Sequence, residues 1–140
     1  MKIYTSYYAQ IRNLKKEGIT PIAISLGIPK FLRGEDMSRI FLLAPSRDML
    51  DLSYDIYKER YIERLEKVDW KLVHDMLSVY EDKPVALLCY EALKTEGEFC
   101  HRTMLAEYIN KNYSYVFGQV TEWKKEEKEV SRQIGMFDDK

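Results

Sequence analysis

Val85-Ala86-Leu87-Leu88-Cys89-Tyr90 is a continuous apolar run. A half-exposed strand would alternate between apolar and polar residues. An unbroken run this short suits a strand covered on both faces, as in a parallel sheet. Asp82-Lys83-Pro84 before it reads as a turn. After it, residues 92–99 with Gly97 read as a loop, and Met104, Leu105, Tyr108 and Ile109 repeat at helical spacing.

Similar signals extend toward both ends. Residues 2–7 are β-branched and aromatic and predict a first strand. Ile11 and Leu14 mark a short helix, with Gly18 as its stop. The isoleucine-rich residues 19–26 predict a second strand. Residues 27–45 hold two prolines, two glycines and mixed charge, and a stretch of that length without periodicity is either functional or mobile. Tyr54, Tyr57, Tyr61, Leu65 and Val68 form an amphipathic helix. Asp69 caps the next one, which carries Trp70, Val73, Leu77 and Tyr80. Residues 115–120 read as a last strand, and charge dominates from Glu122 onward. Strands separated by helices predict a layered α/β domain with a mostly parallel, Rossmann-like sheet flanked by helices. The expected organisation is one domain over residues 1–123 and a charged tail over 124–140.

Composition narrows the function classes. Of 140 residues, 46% are hydrophobic and 32% charged, a balance that builds a core. The 22 basic and 23 acidic residues leave a net charge of −1, which argues against a tight, sequence-independent nucleic-acid binder. The eleven tyrosines are expected mainly at the core edge rather than on a base-stacking surface. Polar residues interrupt the start of the chain as a signal peptide would not be interrupted, and no apolar run reaches the length of a membrane span. The expected compartment is the cytoplasm, away from membranes, with both cysteines reduced and a Cys89–Cys100 disulfide disfavoured. No CxxC pair, Gly-rich phosphate loop or Gly-x-Ser-x-Gly elbow is present. No metal is expected, since the one donor set at hand, Cys89, Cys100, His101 and His74, draws His74 from an amphipathic helix. No cofactor is identified.

Ligands of open parallel sheets bind beyond the carboxyl ends of the strands. That edge is expected to gather Ser6 and Tyr7 from the first strand, Ser25 and Lys30 from the second strand and its loop, and Cys89, Tyr90 and Glu91 from the buried strand. Cys100-His101-Arg102 opens the following helix, where unpaired N–H groups favour anions and lower a thiol pKa. Arg102 offers a bidentate fork to a phosphate or carboxylate. His101 with Glu91 suits proton transfer, and Cys100 suits nucleophilic attack. Catalysis is therefore expected from Glu91, Cys100 and His101. Ligand contact is expected from Ser6, Tyr7, Ser25, Lys30, Cys89, Tyr90 and Arg102.

Leu-Leu-Cys-Tyr-Glu, then Phe-Cys-His-Arg and Leu-Ala-Glu, resemble the signature of the domain-of-unknown-function-488 family. Tyr-Thr-Ser-Tyr-Tyr-Ala near the start, Ile-Ser-x-Gly-x-Pro-Lys ending at Lys30, and Leu43-Ala44-Pro45 resemble its short single-domain branch. The likeness runs from Ile3 to Trp123. It implies an α/β fold with Cys89, Glu91, Cys100, His101 and Arg102 gathered at one site, and it supplies no reaction. This chain has Leu26 where a basic residue is expected after the Ile-Ser pair.

Near the end, Gln133-Ile134-Gly135-Met136-Phe137 resembles the peptide by which bacterial replication and repair proteins dock on the sliding clamp. Gln133, Ile134, Met136 and Phe137 would be its contact residues, with Met136 and Phe137 entering an apolar cleft. The expected function is an enzyme acting on nucleotides, bases or nucleic acid through a Cys/His/Arg/Glu pocket. The alternative is a non-catalytic module that binds a small anion or nucleotide, or an adaptor, tethered to the clamp.

Overall fold

A computed structural model describes residues 1–35, 37–80, 83–90 and 100–125. Glu91 and the tail residues Gln133, Ile134, Met136 and Phe137 lie outside the described residues.

The chain folds into a five-stranded, all-parallel sheet with helices on both faces. In chain order the elements are β1 (Ile3–Tyr7), α1 (Ile11–Lys16), β2 (Thr20–Ala23), β3 (Ser38–Arg39), α2 (Tyr54–Glu66), α3 (Trp70–Ser78), β4 (Val85–Cys89), α4 (His101–Asn112), α5 (Ser114–Phe117) and β5 (Val120–Glu122). The strand order is β3-β2-β4-β1-β5. β4 is the centre, hydrogen-bonded to β1 on one side and β2 on the other. This position explains its composition, because all five of its residues are buried.

Alternation along β4 divides the core. Val85 and Leu87 point to one face, where Tyr57, Tyr61 and Leu65 of α2, Val73 and Leu77 of α3, and Met104, Leu105 and Ile109 of α4 pack on them. Ala86 and Leu88 point to the other, which is covered by Ile11 and Leu14 of α1 with Tyr8, Leu32 and Trp123. On the helix-rich face Trp70 lies 5.7 Å from Tyr108 and 5.0 Å from Tyr113. Much of the aromatic content is therefore packing.

Local signals set the element ends. α1 stops in a Schellman turn: Gly18 takes φ +75°, Ile19 N–H donates to the Leu14 carbonyl, and Gly18 N–H to that of Lys15. Asp69 accepts from Leu72 N–H at 3.1 Å and opens α3. Two expectations change. β3 is a two-residue strand within the irregular segment, and it carries no apolar alternation to announce it. Residues 115–117 are helical rather than extended, and the last strand begins at Val120. Gly118, at φ +73°, makes the turn between them. The Asn110 side chain then fixes Val120, accepting from its N–H at 2.7 Å and donating to its carbonyl at 2.9 Å.

Replacing Leu87, which has no exposed surface, tests the central strand. Leu87→Ala is expected to cost about 2–5 kcal/mol in urea unfolding, and Leu72→Ala, on an exposed position of α3, within about 0.5 kcal/mol.

Candidate functional site

The parallel register aligns the carboxyl ends of three neighbouring strands. Tyr7 of β1 pairs with Cys89 of β4, and Ala23 of β2 pairs with Leu88. Beyond this edge lies a cavity of about 460 Å³, lined by Ser25, Leu26, Gly27, Pro45, Leu50, Tyr57, Tyr90, Cys100 and His101. Its walls are mostly apolar and aromatic, with a few polar groups. This is the usual make-up of a small-molecule site.

Each wall has a distinct support. Tyr90, the first residue after β4, is half exposed and meets Tyr8 edge-on at 5.2 Å. A Cβ at Gly27 would stand 3.4 Å from the Tyr90 hydroxyl, so the backbone there runs close to the tip of that side chain. The Ser25 hydroxyl donates to the Gly27 carbonyl, which leaves Tyr8 to donate to Ser25. Tyr57 belongs to the buried stripe of α2 and also forms cavity wall.

His101 is the first residue of α4 and is buried. Its Nε2 lies 2.6 Å from the Ile24 carbonyl. A carbonyl only accepts, so Nε2 carries the proton and Nδ1 keeps its lone pair. That lone pair is 3.9 Å from the Cys100 sulfur. Burial pushes the imidazole down to about pKa 4, a shift opposed by the Ile24 hydrogen bond and reinforced by the Arg102 charge. His101 is therefore neutral near pH 7, with Nδ1 left as a hydrogen-bond acceptor. The sequence suggests Glu91 to orient it; among the described residues the Ile24 carbonyl does so.

The sequence predicts that Arg102 offers its fork to a ligand. In the structure it is 1% exposed and directed inward. Nε and Nη2 donate to the Glu122 carboxylate at 3.0 and 3.1 Å, and Nη1 donates to the Cys89 sulfur at 3.0 Å. The guanidinium also lies over the Tyr7 ring, 5.4 Å from its centroid. Glu122 in turn accepts from the Thr5 hydroxyl at 2.7 Å. By sequence Glu122 belongs with the charged tail. Only the parallel pairing of β5 with β1 brings it here.

The other expected residues divide between cavity and interior. Ser25, Tyr90, Cys100 and His101 line the cavity. Cys89 is fully buried behind it, joined to Cys100 through their sulfurs. This corrects the expectation of two separate thiols: the end of β4 and the start of α4 converge at the sheet edge and bring the sulfurs together. Tyr7 serves Arg102 and accepts from Gln10 at 2.7 Å. Ser6 is buried on the opposite face from Arg102, and its hydroxyl has no partner among the described residues. Lys30 is exposed and is not a lining residue. Cys89, Cys100 and His101 present donor atoms within 4.8 Å of one another, although no metal is expected from the sequence. His74 is not part of this group. Among the described residues, no helix is long and apolar enough to cross a membrane.

Comparisons with protein-family models, curated proteins and solved structures return no match.

The buried imidazole makes a testable contribution to stability. The unfolded chain takes up a proton at an ordinary histidine pKa of 6.5, whereas the folded chain resists until about 4. Stability is therefore lost as pH falls through that window, by on the order of 3 kcal/mol at its lower end. Urea unfolding near pH 7 and about pH 4.5 should show a larger acid-induced loss for the parent chain than for His101→Gln. Equal losses would mean that His101 is not held neutral.

Proposed function

We propose that this protein is an enzyme acting on a nucleobase, nucleoside or nucleotide held in the cavity, with Cys100 and His101 as its reacting groups. The observation that carries the reading is the unprotonated Nδ1 of His101 beside the Cys100 sulfur at the wall of an aromatic cavity. With Cys100 as a free thiol, the Nδ1 lone pair accepts its S–H hydrogen bond and takes the proton as the sulfur attacks an electrophilic carbon of the substrate. The Ile24 carbonyl holds the ring in the required tautomer, much as a third residue orients the base in a catalytic triad.

The cavity lining favours a flat, largely uncharged group over a bare anion. Tyr90 and Tyr57 offer ring surface, Leu50 and Pro45 add apolar contact, and Ser25 and the Gly27 backbone offer hydrogen bonds. Among the described residues no lysine or arginine lines the cavity, and Arg102 is committed to Glu122. A base therefore fits better than an isolated phosphate. The non-catalytic binding module uses the same contacts and differs only in leaving Cys100 inert. Kinship with the domain-of-unknown-function-488 family is part of this proposal. It is supported by the quoted motifs and by the closeness of Cys89, Cys100, His101 and Arg102.

The reduced protein, titrated calorimetrically with nucleobases, nucleosides and nucleotides, is expected to bind at least one of them. Tyr90→Ala should weaken that binding by about 5- to 150-fold, from a stacking contribution of about 1–3 kcal/mol. Cys100→Ala should remove turnover, and His101→Ala should lower it about 10²- to 10⁴-fold. No binding across the panel would refute the reading, and binding with full turnover in Cys100→Ala would refute the nucleophile.

The terminal Gln133-Ile134-Gly135-Met136-Phe137 adds a partner to the proposal, a bacterial sliding clamp. A tether of this kind raises local concentration and lets a domain of net charge −1 work near DNA without tight intrinsic affinity. A peptide of the last twelve residues should bind purified clamp in a fluorescence titration and lose that binding when Met136 and Phe137 are both alanine. Equal binding of the two peptides would remove the clamp from the reading.

A further inference from the structure

The sulfurs of Cys89 and Cys100 are joined, yet their surroundings differ. Cys89 ends the central strand with no exposed surface, while Cys100 is part of the cavity wall. A group entering the cavity meets Cys100 first. Each sulfur also has a polar neighbour that a permanent crosslink does not need. Arg102 Nη1 donates to Cys89 at 3.0 Å, and the His101 lone pair stands 3.9 Å from Cys100. A disulfide sulfur is uncharged and a weak acceptor, a poor partner for a buried guanidinium N–H. A thiolate accepts the same hydrogen bond with charge assistance. Arg102 is thus matched to the opened state of Cys89, and the His101 lone pair to the S–H of an opened Cys100.

We propose that Cys89 and Cys100 are a reversible dithiol–disulfide couple, in which Cys100 exchanges with a small disulfide entering the cavity and Cys89 resolves the mixed disulfide. In the first step the Cys100 thiol, its S–H directed to the Nδ1 lone pair of His101, loses its proton to solvent. The thiolate attacks one sulfur of the small disulfide, forming a Cys100 mixed disulfide and expelling one small thiolate. In the second step the Cys89 thiolate, held by Arg102, attacks the Cys100 sulfur. The Cys89–Cys100 bond forms and the second small thiolate leaves. The two protons lost by the protein thiols end on the two small thiols released. The protein is oxidised by two electrons and the small disulfide is reduced by two. Excess small thiol reverses both steps by attacking Cys100 from the cavity. The couple shares the cavity of the proposed enzyme: its closed form withholds Cys100, so turnover belongs to the open form.

The test uses the full chain, reduced and then equilibrated in buffers of varied ratio of oxidised to reduced glutathione. Samples are acid-quenched, alkylated and weighed intact. Both thiols should disappear together in one transition, with a loss of two hydrogens and a peptide pair linking Cys89 to Cys100. Cys89→Ser should stop at a single glutathione adduct on Cys100. Cys100→Ser should leave Cys89 free of adduct. Full alkylation of both thiols in the most oxidising buffer would overturn the proposal, as would an adduct found on Cys89 in place of Cys100. A parallel sample with zinc addresses the shared donor set of Cys89, Cys100 and His101. One zinc per chain protecting both thiols from oxidation and alkylation would make this a metal site and overturn the couple. The parent chain's own transition decides between these outcomes even if a serine variant fails to fold. None of these readouts needs a nucleobase, so failure of the binding panel and failure of the couple remain distinguishable.

Discussion

Arg102 is almost wholly removed from water, and the arrangement of the site depends on keeping its charge balanced there. A buried guanidinium without a partner costs several kcal/mol. Its compensation comes from separate parts of the chain: the carboxylate of β5, the ring of Tyr7 at the end of β1, and the sulfur at the end of β4. One side chain on α4 therefore ties three strand ends to the start of its own helix. The adjacent residue, His101, inherits its position from that anchor and reaches β2 through the Ile24 carbonyl. The positions of the cavity-facing groups follow from an ion pair that never touches the cavity.

A division of labour runs through the Cys-His-Arg tripeptide. Arg102 looks inward and holds the sheet. His101 is held neutral by burial and turned by a backbone carbonyl, so that its free nitrogen faces a sulfur. Cys100 and His101 both line the cavity, and Arg102 does not. Among the described residues the cavity walls are mostly apolar, and the positive charge that the motif advertises in sequence is spent in the interior.

The sequence reveals features that depend on neighbours along the chain. The unbroken run of β4 announces burial on both faces, the stripes Tyr57-Tyr61-Leu65 and Trp70-Val73-Leu77 announce helices, and Gly18 and Asp69 mark their ends. Features that depend on distant partners are silent. Glu122 reads as the first residue of a charged tail until parallel pairing sets it against an arginine twenty residues away. Ser38 and Arg39 have no apolar pattern because an edge strand of two residues buries little. Tyr115-Val116-Phe117 has the composition of a strand, but it follows α4 directly and lies before the turn at Gly118. Tyr57 shows how a core stripe can conceal a site residue, since it belongs to the core and also lines the cavity.

The place of β4 in the sheet also bears on how the chain acquires its structure. Ile3 has to pair with Val85, and Thr20 with the same residue, so neither early strand has its central neighbour until most of the domain has been made. Parallel strands cannot close locally, and long-range pairing of this kind is slow. During synthesis β1 and β2 wait with unpaired edges while α2 and α3, which need only local contacts, are free to form. Emergence of one five-residue segment then allows the sheet to assemble around it. That places the interval of greatest exposure to misassociation just before residue 85 leaves the ribosome.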